Sequence, residues 1–287
     1  MNVECAFRTK DILGEGPVWS IEEQALYWVD IERPALQRWN PATGEHKVWQ
    51  MPSQIGSYAL REGGEAVVAL RTGLAWLDLG SGDVTPIVDP EADMVHNRFN
   101  DGACDRQGRF WAGTMHLTGN DPSGSLYRFD PDGTLTKMRT PVWVSNGLGW
   151  SPDNRIMYYA DSPTGHIYAY DFDPDTGNIS NERIFAHTDD GYPDGLTVDA
   201  EGYVWSAKWD GWRIVRYAPD GSIDREIKMP VQRPTSCMFG GPELRHLFIT
   251  SATVNLTEEE LAPQPLAGSV LVIETDVAGL PEPRFAG

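Results

Sequence analysis

The chain has 287 residues, 40% apolar and 23% charged, which is long enough and apolar enough to bury a sizeable core and argues against disorder. Acidic residues outnumber basic ones 42 to 23, and the resulting net charge of −19 repels phosphate backbones and anionic headgroups, so nucleic-acid and membrane partners are not expected. No stretch approaches the ~20 apolar residues of a membrane-spanning helix, and MNVECAFRTK has no apolar run of leader length.

In chain order, VECAF at residues 3–7 alternates and reads as a strand. A unit then recurs: inner segment, turn, aromatic or β-branched segment, linker, second such segment, Gly-containing turn. The first copy is GPVWS, IEEQ, ALYWVD, ALQRWN and PATG. A looser second copy runs SYALR, EGGE, AVVAL, LAWLDL and GSGD. DGACD, RQG, RFWAGT, GSLYRFD and PDGT form the third, and NGLGWS, PDN, RIMYYAD, GHIYAYDFD and PDTG the fourth. The fifth is DGLTVD, AEG, YVWSAK, WRIVRYA and PDGS, and a looser sixth is SCMFG, GPELR, HLFITS, GSVLVIE and DVAG.

Alternation within these segments is the period-2 signature of strands, and no window holds a capped 3.6-residue period. Short strands in units of about 45 residues predict an all-β, six-bladed β-propeller with four-stranded blades, spanning residues 1–287 as one domain. VECAF is expected to complete the last blade and close the ring, removing exposed sheet edges.

Residues at one repeat offset lie at one height around a propeller axis. The residue before the inner glycine is Glu15 in GEGP, Asp101 in NDGA, Asn146 in SNGL and Asp194 in PDGL; Asn100 stands one step earlier. Spacings of 45 and 48 residues separate Asp101, Asn146 and Asp194, one blade each, and 86 residues, or two blades, separate Glu15 from Asp101. Asn-Gly and Asp-Gly also form tight hairpin turns. The blades already have such turns in PDGT, PDTG and PDGS, with Asp132 and Asp220 as examples, so a shared site is the expectation for Glu15, Asn146 and Asp194. A donor set of Glu, Asn and Asp is all oxygen and suits a hard cation such as calcium, magnesium or manganese, with ferrous iron possible.

GEGPVW, NRFNDG with GRFWAGTM, SNGLGWSPD with YYADS, and YPDGLTVDAEGYVW resemble the SMP-30/gluconolactonase/regucalcin family of six-bladed propellers, over essentially the whole chain. The resemblance implies that Glu15, Asn146 and Asp194 hold one divalent cation (calcium, magnesium, manganese, zinc or iron(II)) and that Asp194 is the acid/base. It implies further that Arg98 and Asn100 contact a sugar lactone. GTMH and the PLAG segment at 265–268 are most similar to bacterial enzymes that open pentonolactones such as xylonolactone or arabinonolactone. One departure is Thr118, where regucalcin-like members carry a substrate-contacting Glu; His116 is the candidate replacement.

The expected activity is hydrolysis of an aldonolactone to the aldonic acid. Asp194 either accepts a proton from water or orients a water acidified by the cation. Two alternatives are a non-catalytic calcium-binding regulator and a metal-dependent phosphotriesterase. Tyr58, Trp143, Tyr159, Trp209 and Ser236 lie near the inner strands, packing between blades being their simpler role. Asp189 and Asp190 read as a solvated loop, and the sequons at Asn178 and Asn255 as chance. Cys5, Cys104 and Cys237 are odd in number and widely spaced, which predicts no disulfide framework and a cytoplasmic location; a monomer or weak homo-oligomer is expected.

Overall fold

The computed structural model describes residues 1–287. Its strands form six four-stranded antiparallel sheets arranged as a six-bladed β-propeller, as the repeat predicts. In the first blade Gly14–Ser20, Ala25–Asp30, Ala35–Trp39 and His46–Gln50 follow one another outward from the axis. Four more blades repeat this order, with inner strands Ile55–Leu60, Asn97–Cys104, Ser145–Trp150 and Tyr192–Val198.

The last blade is built from both ends of the chain. Pro234–Gly240, His246–Ser251 and Val270–Glu274 supply its inner strands, and Val3–Phe7 is its outer strand. Val3 pairs with Ile273 and Phe7 with Val270, so the expected closure is present. Without it the Val270–Glu274 edge would stand open.

Packing between blades is aliphatic and aromatic. Tyr27, Val29 and Leu36 of the first blade meet Tyr58, Val68 and Leu70 of the second in one buried cluster. Buried Asp residues after the inner strands clamp the indole of the next strand: Trp111 Nε1 donates to Asp105 at 3.0 Å and Trp205 Nε1 to Asp199 at 2.9 Å. Arg109 and Arg216 complete these clamps with ion pairs of 2.6 and 2.7 Å. Charge left alone at such depth would be costly; here every clamp carboxylate is paired.

Every inner strand carries a register shift near its start, between Glu15 and Val18, Ile55 and Ser57, Phe99 and Gly102, Asn146 and Leu148, Pro193 and Leu196, and Pro234 and Cys237. These are β-bulges, which re-aim a side chain out of the ladder. The polar–Gly pairs therefore lie in strands and are not hairpin turns: of Gly16, Gly102, Gly147 and Gly195, only Gly16 has positive φ, at 53°. The turn reading holds for PDGT and PDGS, where Gly133 and Gly221 both sit at φ 86° and Asp132 and Asp220 accept backbone N–H groups at 2.9 and 3.0 Å.

Space explains the other glycines. A Cβ on Gly147 would lie 2.6 Å from the Asp194 carbonyl oxygen, and one on Gly195 would lie 2.0 Å from Ser236 Oγ. Replacing Gly147 by Ala is expected to lower the unfolding free energy by about 1–3 kcal/mol through overpacking, measured by denaturant unfolding. Unchanged stability would show that the inner strands are not in close contact at this height.

Candidate active site

At the starts of the inner strands the bulges open a cavity of about 470 Å³, lined by residues that include Glu15, Arg98, Asn100, Asn146 and Asp194. That volume falls in the range of small-molecule sites, about 300–1,000 Å³. The five come from four blades and are far apart in sequence, yet all are buried; Asp194 is 3% exposed. Tyr192 and Trp209, paired across the fifth blade, form one wall, with Met115, Leu117 and Val144 among the other apolar lining residues.

A chain of hydrogen bonds fixes the floor. Arg98 Nη1 donates to Asn100 Oδ1 at 2.6 Å, and Asn100 Nδ2 donates to Asn146 Oδ1 at 2.9 Å and to the Ser145 carbonyl at 2.8 Å. Asn146 Nδ2 donates to Ser162 Oγ at 2.6 Å, and Ser162 Oγ donates to the Pro193 carbonyl at 2.6 Å, beside Asp194. With its Nδ2 held by Ser162, the Asn146 amide turns its oxygen toward the floor.

Burial sets the electrostatics. It pushes the Glu15 carboxyl well above the usual range, with the charges of Asp194 and Asp101 adding to the effect. Asp194 is raised well above its usual value by burial and then by Asp101. Burial lowers Arg98 to about 10, while Glu32 and then Glu15 act in the opposite direction. Two carboxylates forced together in a dry site attract either protons or a cation.

No three His, Cys, Asp or Glu side chains converge to form a metal cluster, so a cation here would take the Asn146 amide oxygen as its third donor. Glu15, Asn146 and Asp194 offer only oxygen, the preference of hard divalent ions. Asp194 Oδ1 is buried without a hydrogen-bond partner, which is costly for a carboxylate oxygen unless a further ligand completes it. The donor set fits one divalent cation.

Asp101, grouped with the donors by the residue-before-glycine rule, lies deeper, lining a separate small cavity with Ser57, Tyr58 and Ser236. Asn100 holds the level of Asn146 instead, because both Asn100 and Asp101 fall within the bulge. His116 is not a lining residue of the main cavity. Its Nδ1 meets Thr118 Oγ1 at 2.9 Å, and Thr118 does line the cavity. Trp209 faces the cavity, Tyr58 and Tyr159 pack in the core, and Trp143 is exposed. Ser162 and Glu32 were not singled out from sequence; Ser162 stood in the quoted YYADS motif, while nothing distinguished Glu32 from any surface carboxylate.

Residues 13–253 match the SMP-30/gluconolactonase/LRE-like region. The chain is 42% identical to the 6-deoxy-6-sulfogluconolactonase of Pseudomonas putida, covering 99% of each chain. It is 40% identical to the L-arabinolactonase of Azospirillum brasilense, covering 97% of this chain and 94% of the relative. Among solved structures, a calcium-binding protein, regucalcin, from Agrobacterium tumefaciens superposes with a TM-score of 0.95 at 27% identity, over 99% of this chain and 97% of that one.

Carboxyl groups raised in the folded state bind more protons there than in the unfolded chain, so their contribution to stability falls as pH rises above their unfolded values near 4. In chelator-treated protein at pH 8, calcium or manganese at 100-fold its Kd is expected to add about 3 kcal/mol, and the same concentration should add less at pH 5. Asp194→Asn should remove most of it. Thermal unfolding with and without cation checks this; midpoints indifferent to both ions at both pH values would overturn the donor assignment.

Proposed function

The chain belongs to the SMP-30/gluconolactonase/LRE-like family, and we propose that it is a metal-dependent hydrolase of aldonolactones, with a pentonolactone such as xylonolactone or arabinonolactone favoured. The observation that carries this reading is the gathering of Glu15, Asn146 and Asp194 with Arg98 in one cavity of sugar size. A plain ion site needs the oxygen donors; it has no use for a buried guanidinium beside them. The names of the Pseudomonas and Azospirillum relatives support the same chemistry.

Hydrolysis adds water to the lactone carbonyl carbon, breaks the bond to the ring oxygen and yields aldonate and a proton. A divalent cation held by Glu15, Asn146 and Asp194 supplies Lewis acidity toward the carbonyl. Asp194 takes the proton of the attacking water through the carboxylate oxygen that the cation would leave free, a role worth about 10²–10⁴-fold. Arg98 keeps Nε and Nη2 free of the two bonds made by Nη1, and that edge meets sugar oxygens or developing negative charge. Asn100 commits its amide hydrogens to Ser145 and Asn146, so a lone pair on Oδ1 is what it retains for substrate. Its larger task is to hold Arg98 against the metal donors.

Tyr192 and Trp209 provide a flat face for the sugar's C–H groups. Arg233 backs Trp209 at 4.7 Å and is itself held by Asp210 at 2.7 Å, which keeps the indole in place. The reading places the protein in the cytoplasm, which three free thiols support, and takes it as a monomer or weak homo-oligomer. No helix is long and apolar enough to cross a membrane.

Acid release from D-xylonolactone, L-arabinonolactone and gluconolactone, measured with and without added cation, tests the proposal beside a fluorophosphate. Lactone turnover that needs cation is expected, with Asp194→Asn and Glu15→Gln each lowering kcat/KM by about 10²-fold or more. Cation binding with no turnover would favour a calcium-binding regulator, and fluorophosphate cleavage alone would favour a phosphotriesterase.

A further inference from the structure

The cavity holds three carboxylates, Glu15, Glu32 and Asp194, and one cation, Arg98. Glu15 and Asp194 are buried at the floor and belong to the metal donors. Glu32 is exposed, which places it at the rim, in the turn between Ala25–Asp30 and Ala35–Trp39. Its backbone is fixed by Asp30, whose Oδ1 accepts the Glu32 and Arg33 N–H groups at 3.1 Å. Gln54 Nε2, from the second blade, donates to Glu32 Oε1 at 2.9 Å. The carboxylate is thus aimed, with Oε2 unclaimed.

A lactone seated with its carbonyl at the floor puts its remote carbons toward this rim. Arg98 is anchored at the floor by the bonds of Nη1 to Asn100 and Phe99, and Glu32 is the foremost carboxylate acting on its charge, so a negative group arriving there competes with Glu32. No second basic side chain lines the cavity. We propose that Glu32 is a specificity-determining residue that limits the site to lactones uncharged at the end remote from the carbonyl. Its free oxygen accepts hydrogen bonds from tail hydroxyls, and its charge repels a sulfonate, phosphate or carboxylate in the same position. This rests on the lactonase reading above and sharpens it: the sulfonated lactone named for the Pseudomonas putida relative is a poor substrate for this chain.

The test compares gluconolactone with 6-deoxy-6-sulfogluconolactone on wild type, Glu32→Gln and Glu32→Lys. Glu32 is exposed and these substitutions leave the core untouched, so folding is not at issue. Wild type is expected to favour the neutral lactone by about 10-fold or more in kcat/KM, with Glu32→Lys shifting the ratio toward the sulfonated one by a further factor of about 10 and Glu32→Gln falling between. The preference should narrow as ionic strength rises, because the carboxylate is at the surface. A purely structural Glu32 would change both substrates by the same factor, which overturns the proposal, as does equal or better wild-type turnover of the sulfonated lactone. Wild-type protein inactive on both of these lactones and also on D-xylonolactone and L-arabinonolactone would overturn the lactonase reading itself.

Discussion

Around the propeller axis the inner strands approach so closely that a side chain cannot be fitted between neighbouring bulges. Gly56 faces the Phe99 and Asn100 carbonyls, Gly147 the Asp194 carbonyl, and Gly195 the Ser236 side chain, each at a distance no Cβ could tolerate. This contact explains why polar–Gly pairs recur. The glycine lets one strand reach the next, and the polar residue before it, at the edge of the bulge or within it, turns toward the axis. Donors from separate blades can then be linked by direct hydrogen bonds, from Arg98 through Asn100 and Asn146 to Ser162 and the Pro193 carbonyl. An arrangement this constrained holds its donors in place before any ligand arrives, which is the condition for electrostatic catalysis.

Such a floor is costly to fold. Glu15 and Asp194 face each other in a dry site with Asp101 close enough to raise both, and Arg98 is drawn down by its own burial. Lys208 is fully buried opposite Pro193, with its ammonium against Ser206 at 3.1 Å, and its charge eases that of Asp194. The offset comes from the blades, where buried clamps pair charge and bury apolar surface. Asp105 and Asp199 are each held by an indole and an arginine, and aliphatic and aromatic clusters fill the space between sheets. The Asp105 and Asp199 carboxylates are paired within the blades, whereas Asp194 at the axis keeps an oxygen without partner; that contrast supports the axis as the proposed place of chemistry.

Much of this was legible because it repeats. The inner and middle strands alternate and carry aromatics, and the polar–Gly offset recurs at blade spacing, so Glu15, Asn146 and Asp194 could be brought to one cavity by counting. Outer strands such as His46–Gln50 and Ile223–Lys228 are mostly exposed and polar, and a strand without a buried face has little pattern to read. Counting also misplaced Asp101: in the third blade Asn100, one residue earlier, bonds to Asn146 at the donor level, while Asp101 lines the deeper cavity. The C-terminal segment gave no signal either. It crosses the far ends of the inner strands, bridging Asp199 with Gly279 and Arg61 with Phe285, and is held by Phe285 stacking on Phe129 at 5.3 Å. Contacts between loops that meet only in the folded ring, such as Gln54 with Glu32, leave no periodicity at all.

The cavity thereby divides into two regions with different tolerance for change. Arg98, Asn100, Asn146 and Ser162 are each engaged with the next, so replacing Asn100 would release Arg98 and Asn146 together and leave buried polar groups unsatisfied, a penalty of about 1–3 kcal/mol for each. The rim is held more loosely. Glu32 depends on backbone turns set by Asp30 and on one exposed bond to Gln54, and its own side chain supports nothing in the core. Substitution there carries little folding cost, since exposed pairs contribute only about 0–1 kcal/mol, yet it reverses the sign of the charge that the far end of a substrate meets. On the proposed reading, conserving the reaction and changing the substrate are separable in this architecture: the strand starts would hold the chemistry, and the neighbouring turns would select what reaches it.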